Sequence, residues 1–140
     1  MRLSVIKPLF LLVLLLITSS SVLANLEVGD KAPNFILNDQ NNEAHQLSDY
    51  EGRWVILYFY PKDDTPGCTT QACDFRDAVK RIIASRSVVF GLSLDSVESH
   101  KRFSDKNNLP FSLLSDEEGV AAKSYDSLNN FMGYKSAKRN

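Results

Sequence analysis

The chain has two cysteines, Cys68 and Cys73, and both lie in the segment Pro61-Lys62-Asp63-Asp64-Thr65-Pro66-Gly67-Cys68-Thr69-Thr70-Gln71-Ala72-Cys73. The segment follows the apolar run Trp54 to Tyr60 and leads into an amphipathic helical pattern. It therefore reads as a strand-to-helix junction. A thiol at such a junction faces helix N–H groups that lack an intrahelical partner and the positive end of the helix dipole. That setting favours the thiolate, which is the nucleophilic form. The residues point to cysteine chemistry and away from an inert buried sulfur.

The spacing narrows that chemistry. Five positions along an α-helix separate the two cysteines by about 7.5 Å of rise and about 140° of rotation. Disulfide Cα–Cα distances reach only about 6.8 Å. The two sulfurs therefore cannot bond while the helix is intact, and a bond between them requires its first turns to unwind. Such a pair is a poor staple and a good redox switch. It is not the Cys-x-x-Cys pattern of dithiol oxidoreductases. With only His45 and His100 as further soft ligands, the chain implies no metal, and nothing in it implies a cofactor. Around Cys68, Pro61 and Pro66 stiffen the loop and shield the sulfur. Thr65 offers a hydroxyl to a small oxygen-containing substrate. Gly67 lets the backbone come close to that substrate.

The elements that must hold these residues follow from periodicity. Residues 34–37 and 44–47 read as a hairpin across the turn-rich Asn38 to Asn42, followed by a helical turn over 48–52 ended by Gly52. Residues 54–60 read as a strand buried on both faces. A helix is predicted over 69–84, with Ala72, Phe75, Val79, Ile82 and Ile83 on its apolar face. Strand 88–94 follows. The spacing of Asp95-Ser96-Val97-Glu98 predicts a capping box that opens a helix reaching about Lys106. After the break at Asn107 to Pro110 come a strand over 111–114 and a helix opened by Ser115 to Glu118 and running through Tyr125. Residues 126–140 carry only a weak local pattern. Alternating strands and helices predict an α/β fold with a parallel-type sheet and an early antiparallel pair. Trp54 and Phe59 read as core, Glu98, Glu117 and Glu118 as first-turn acids, and His45 and His100 as packed or hydrogen-bonded residues. Asp63 and Asp64 flank the reactive loop and would oppose a thiolate if they faced it.

Length and charge bound the rest. The 140 residues carry 16 Lys and Arg, 17 Asp and Glu and a net charge of −1. Residues 1–24 have the three parts of a secretory signal peptide: basic Arg2 and Lys7, an apolar run from Leu9 to Ile17, and Val22-Leu23-Ala24 as a small-residue cleavage site. The apolar run is too short to span a membrane. Cleavage after Ala24 would leave 116 of the 140 residues as one domain, and losing the two cations would take the charge from −1 to −3. That balance provides no surface for nucleic acid or anionic membrane. Together with the leader it predicts a periplasmic protein with no stable membrane association after cleavage.

From Tyr58-Phe59-Tyr60-Pro61 through Cys68 to Cys73-Asp74-Phe75-Arg76-Asp77, the chain resembles the active-site segment of peroxiredoxins, whose Pro-x-x-x-Thr-x-x-Cys pattern falls on Pro61, Thr65 and Cys68. The second cysteine five residues on is similar to the Q-type, or bacterioferritin comigratory protein, subfamily. The likeness extends to Val28-Gly29-Asp30-Lys31-Ala32-Pro33, to Gly91 through Phe103 and to Leu109 through Asp116. It implies a thioredoxin-like fold, a monomeric state and thiol-dependent reduction of hydrogen peroxide and organic hydroperoxides. Cys68 would be the peroxidatic and Cys73 the resolving residue. They would form a Cys68–Cys73 disulfide that a thioredoxin-like donor reduces. Pro61, Thr65, Gly67 and Cys68 would bind the peroxide, and Arg139 resembles the arginine that steadies the thiolate. In that family two further strands and a final helix follow the arginine, so the fold expected over 25–140 lacks them. Two rival readings use the same residues. One is a redox or interaction protein that keeps the thiol switch without turnover. The other is a periplasmic thiol–disulfide oxidoreductase, which the spacing disfavours.

Overall fold

Asp39 closes the first turn. Its Oδ1 accepts the backbone N–H groups of Asn41 (2.8 Å) and Glu43 (3.1 Å). This folds β1 (Ile36–Asn38) back on β2 (Ala44–Gln46), with Ile36 opposite Gln46. The computed structural model describes residues 26–139, so the leader read over residues 1–24 lies outside the described residues. A 3₁₀ turn, Leu47–Tyr50, leads to β3 (Trp54–Phe59), α1 (Pro66–Ala84) and β4 (Ser87–Ser93). Then come α2 (Val97–Asn107), β5 (Ser112–Ser115) and α3 (Val120–Ser124). A hairpin of β6 (Leu128–Phe131) and β7 (Tyr134–Ala137) completes the described chain.

The main sheet has the order β2-β1-β5-β4-β3. Its β3, β4 and β5 are parallel, and β1 meets β5 antiparallel through Asn38 and Ser115. Successive strand residues face opposite sides, so the sheet builds two cores. Tyr58, Tyr60, Val89 and Leu113 pack with Ala72 of α1 and Phe103 of α2. Phe59, Phe90, Leu92 and Leu114 pack on the other side with Ala121, Ala122 and Ala137. Burying a side chain of this size stabilises the fold by about 1.5–3 kcal/mol. Cys68 belongs to the first core, so the reactive segment is seated on buried side chains of the sheet and of α2.

Several expectations need correction. β3 is not buried on both faces throughout. It is an edge strand of the sheet, with β4 as its strand neighbour among the described residues, and Trp54 at its start is 78% exposed. Ile83, in the last turn of α1, is also exposed rather than packed on the predicted apolar face. The α1 helix starts at Pro66 rather than Thr69. Proline needs no N–H at the first helical position, and its fixed φ suits it there. The cap of α2 is Ser96, whose Oγ accepts the Ser99 N–H at 3.3 Å. The Asp95 carboxylate is occupied elsewhere, with Ser93 Oγ (2.7 Å) and the Asp63 N–H (2.9 Å). Glu117 and Glu118 lie in a turn before α3, not in its first turn. The weakly patterned tail is the β6–β7 hairpin, turned by Met132 (φ 49°) and Gly133 (φ 87°). Paired positive φ values give the tight turn whose twist suits a hairpin. No helix follows β7 among the described residues.

Candidate active site

Helix α1 opens with Pro66, Gly67 and Cys68, and its first backbone bond runs from the Thr69 N–H to the Thr65 carbonyl (2.9 Å). Proline has no N–H, so the helix-terminal donors without an intrahelical partner are those of Gly67 and Cys68. Cys68 itself is 1% exposed. The Arg139 Nη2 donates a hydrogen bond to its Sγ at 3.1 Å, across 71 residues of sequence. The hairpin makes this possible. Lys138 N–H bonds the Ser127 carbonyl at 2.7 Å, which brings the chain beyond β7 back over the start of α1. Gly67 provides the room. A Cβ there would stand 2.5 Å from Arg139 Nη1 and 2.8 Å from Nη2. Gly67 therefore seats the guanidinium.

Thr65 is the N-cap residue of α1, yet its side chain makes no cap bond. Its Oγ1 donates to the Lys62 carbonyl at 3.0 Å. The hydroxyl proton is thereby engaged, and the oxygen presents its lone pairs as acceptors. Pro61 enters the loop from the buried end of β3, half-buried itself. The two acids flanking the loop turn away from the sulfur. Asp63 points inward, with Oδ1 accepting from Tyr60 Oη (2.7 Å) and Oδ2 accepting from Ser99 Oγ (2.8 Å) and facing His100 Nδ1 (2.9 Å). Burial alone would raise the Asp63 carboxyl, but these bonds and the His100 charge outweigh it and hold the group below its ordinary value. Asp64 points outward to Lys106 Nζ at 2.8 Å.

Cys73 lies in the same helix, half-buried, and both thiols are free. Arg76 stands one turn beyond it, pinned by its Nη1 to the Asn107 carbonyl (3.0 Å) and by its Nε to Asp77 Oδ1 (2.9 Å). Its pKa is raised, by the Asp77 bond first and by the Cys73 sulfur beside it. Behind the cysteines, Tyr58 Oη is buried without a hydrogen-bond partner. Desolvation, then the charges of Asp63, Cys68 and Cys73, push its phenol well above the ordinary range.

The structure thus brings together Thr65, Gly67, Cys68 and Arg139. It sets Cys73 apart on the same helix and places Pro61 at the loop entrance. The sequence did not reveal which way Asp63 faces, nor the Tyr60–Asp63–His100 cluster. Its one signal was a histidine at helical spacing from Phe103. His45 packs between Asp39 Oδ2 (3.1 Å) and Tyr50 Oη (2.6 Å) and takes no part in the site. Asp39, Glu43 and His45 converge closely enough to suggest a cation site, but Asp39 is already committed to the turn and to His45.

A parallel β-α-β core carrying a cysteine at the first helix, with an arginine returned to it, defines a thioredoxin-like thiol protein. Residues 28–139 match the AhpC/TSA family model. The chain is 50% identical over 101 residues to peroxiredoxin Bcp of Bacillus subtilis, covering 72% of this chain and 64% of that protein. Among solved structures, a cysteine-to-serine variant of Xylella fastidiosa PrxQ superimposes with a TM-score of 0.77 at 31% identity, covering 83% of this chain and 77% of the other. Bacterioferritin comigratory protein of Xanthomonas campestris, in a structure concerned with its alkyl peroxide reduction, gives 0.69 at 32% identity, with 75% and 69% covered. The chain belongs to the AhpC/TSA family, among its Bcp and Q-type peroxiredoxins. It spans just under two thirds of the length of the Bacillus relative.

Proposed function

We propose that the protein is a thiol peroxidase acting on hydrogen peroxide and organic hydroperoxides. The observation that carries the reading is the Arg139 guanidinium at 3.1 Å from Cys68 Sγ, over the one residue that leaves room for it. A fixed, permanently charged fork can hold a thiolate and a peroxide oxygen together. Cys68 attacks as the thiolate. An S–O bond forms and the O–O bond breaks, and the leaving oxygen takes a proton to become water or an alcohol. Cys68 becomes a sulfenic acid. Arg139 and the N–H groups at the start of α1 face the charge that builds on the leaving oxygen, and Thr65 Oγ1 accepts a hydrogen bond from the peroxide O–H. The first turns of α1 then open. The Cys73 thiol condenses with the sulfenic acid, so an S–S bond forms and water leaves. A thioredoxin-like dithiol reduces that disulfide by exchange.

The relative studied for alkyl peroxide reduction supports the substrate class. Residues 1–24 support export to the periplasm, where the protein would work as a monomer; mass analysis of the secreted form would test cleavage after Ala24. The central test is peroxide consumption with a dithiol donor. Cys68→Ser should abolish it. Cys73→Ser should give one stoichiometric turnover that stops at the sulfenic acid. Full activity in Cys68→Ser would refute the assignment.

A further inference from the structure

A closed polar cluster is buried directly beneath the reactive loop, and the chemistry proposed above does not use it. His100 is fully buried, Tyr60 is 1% exposed and Asp63 is 5% exposed. Asp63 gathers three side-chain bonds from two directions: Tyr60 Oη from the end of β3, and Ser99 Oγ and His100 Nδ1 from α2. On its other side the His100 ring meets the Leu114 carbonyl of β5 through Nε2 at 3.2 Å. Nδ1 also stands 3.3 Å from Tyr60 Oη, so the two ring nitrogens are held from opposite sides, by the cluster at Nδ1 and by the β5 backbone at Nε2. The backbone at Asp63 is held as well, by its N–H on Asp95 Oδ2. Two residues on stands Thr65, the N-cap residue of α1, and Cys68 follows within the first turn.

The cluster ties one side chain of the loop to β3, α2 and β5 together. Apart from the Asp63 N–H on Asp95 and the helix-start bonds that Thr69 makes to the Thr65 carbonyl, the side chains of loop 61–65 add an exposed ion pair, Asp64 with Lys106, and the bond from Thr65 Oγ1 to the Lys62 carbonyl. Exposed pairs of that kind hold little. We propose that His100, acting through Asp63, is a positioning residue for the thiol site. It fixes the loop so that Thr65 and the start of α1 meet Arg139 in register. It also sets the upstream limit of the unwinding that brings Cys68 to Cys73, because Asp63 stays anchored while the chain from Thr65 onward opens. As a statement about turnover this rests on the peroxidase reading. As a statement about where Cys68 sits relative to Arg139 it does not.

Asparagine and glutamine separate the two bonds of the ring. The amide nitrogen of Asn reaches where Nδ1 stood and keeps the link to Asp63. That of Gln reaches where Nε2 stood and keeps only the Leu114 carbonyl. Full-length chains with Cys73→Ser, carrying either His100→Asn or His100→Gln, are alkylated at Cys68 with iodoacetate and with iodoacetamide at one pH. A cysteine seated beside Arg139 favours the anionic reagent. His100→Gln should lower that preference at least fivefold and slow peroxide reduction at least tenfold, as a displacement near 1 Å can do. His100→Asn should stay within threefold of the parent on both readings. Loss of peroxide reduction in the parent itself would overturn the peroxidase reading while leaving the alkylation comparison intact. A folded His100→Gln chain with an unchanged reagent preference would overturn the positioning role, as would equal damage from both substitutions. If His100→Gln does not fold, Tyr60→Phe decides in its place. It removes one Asp63 bond without a cavity, and an unchanged preference there would count against the proposal equally.

Discussion

At Gly67, the usual consequences of a glycine substitution are inverted. Its backbone is helical, so alanine fits the local conformation and favours the helix by up to about 1 kcal/mol. The obstacle is Arg139, whose Nη1 lies 2.5 Å from where the new methyl would be. The far end of an exposed, flexible side chain moves aside at little cost, so the strain is relieved by giving up the contact with Cys68. Gly67→Ala should therefore keep or raise the melting temperature while slowing peroxide reduction by about 10- to 100-fold. Stopped-flow kinetics beside a thermal melt would check this, and equal losses in both would show that Gly67 is structural. The sequence already marked Thr65, Gly67, Cys68 and Cys73, because their chemistry depends on neighbours a few residues away. It reached Arg139 only through the family resemblance, and it could not show that Arg139 crosses 71 positions to reach Cys68 or that Asp63 turns from the sulfur toward His100. Those facts depend on contacts between distant segments, which no local pattern records.

Helix α3 shows the same division one level up. Five residues, Val120–Ser124, are too few to hold a helix by propensity. Asp116, four residues upstream, supplies what is missing. Its Oδ1 accepts the N–H groups of Val120 (3.0 Å) and Ala121 (3.2 Å), and its Oδ2 accepts that of Ala122 (2.7 Å). Sequence spacing placed the helix start at Ser115 to Glu118 because acids usually occupy a first turn. Here the acid caps the helix from outside, and the αL residue Gly119 (φ 71°) joins the two. The long amphipathic α1 and the apolar β4 were legible for the opposite reason, since their own periodicity carries the signal. Asp116→Ala would orphan two buried donors, those of Ala121 and Ala122, and the partly buried one of Val120. It should destabilise the fold by about 2 kcal/mol in urea titrations. It should also reach the active site. Ser127 bonds back to the Ala122 carbonyl at 2.7 Å, and Lys138 bonds to Ser127, so the hairpin that delivers Arg139 rests on α3. A variant that lost stability but kept full peroxide reduction would break that mechanical link.

The whole molecule should be most stable over a plateau bounded by two kinds of buried group. On the acid side stand Asp39 and Asp63. Burial opposes both charges, yet for Asp39 the N–H groups of Asn41 and Glu43 and the bonds from His45 and Ser112 prevail, as the His100 cluster does for Asp63. Both carboxyls are held below their ordinary 3.8. A lowered carboxyl contributes stability that is complete above its unfolded pKa and is lost as pH falls through the folded one. The urea midpoint should therefore hold at pH 5 and drop as the pH passes below about 4. On the alkaline side stand Tyr58, Tyr60 and Tyr125, whose phenols are raised, by burial foremost and, for Tyr58 and Tyr60, by the charge of Asp63 as well. Raised phenols contribute stability that is complete below the unfolded value of 10.0 and is lost as pH climbs beyond it. Asp63→Asn should flatten the acid limb and, because its charge helps to raise Tyr58 and Tyr60, should also make the alkaline limb shallower. Tyr60→Phe should flatten the alkaline limb and, by removing one bond that lowers Asp63, also weaken the acid limb. A urea midpoint that stayed constant from pH 5 to 3 would mean that the Asp39 and Asp63 carboxyls are not held in their charged form. The inward anchoring of the reactive loop would then lose its electrostatic basis.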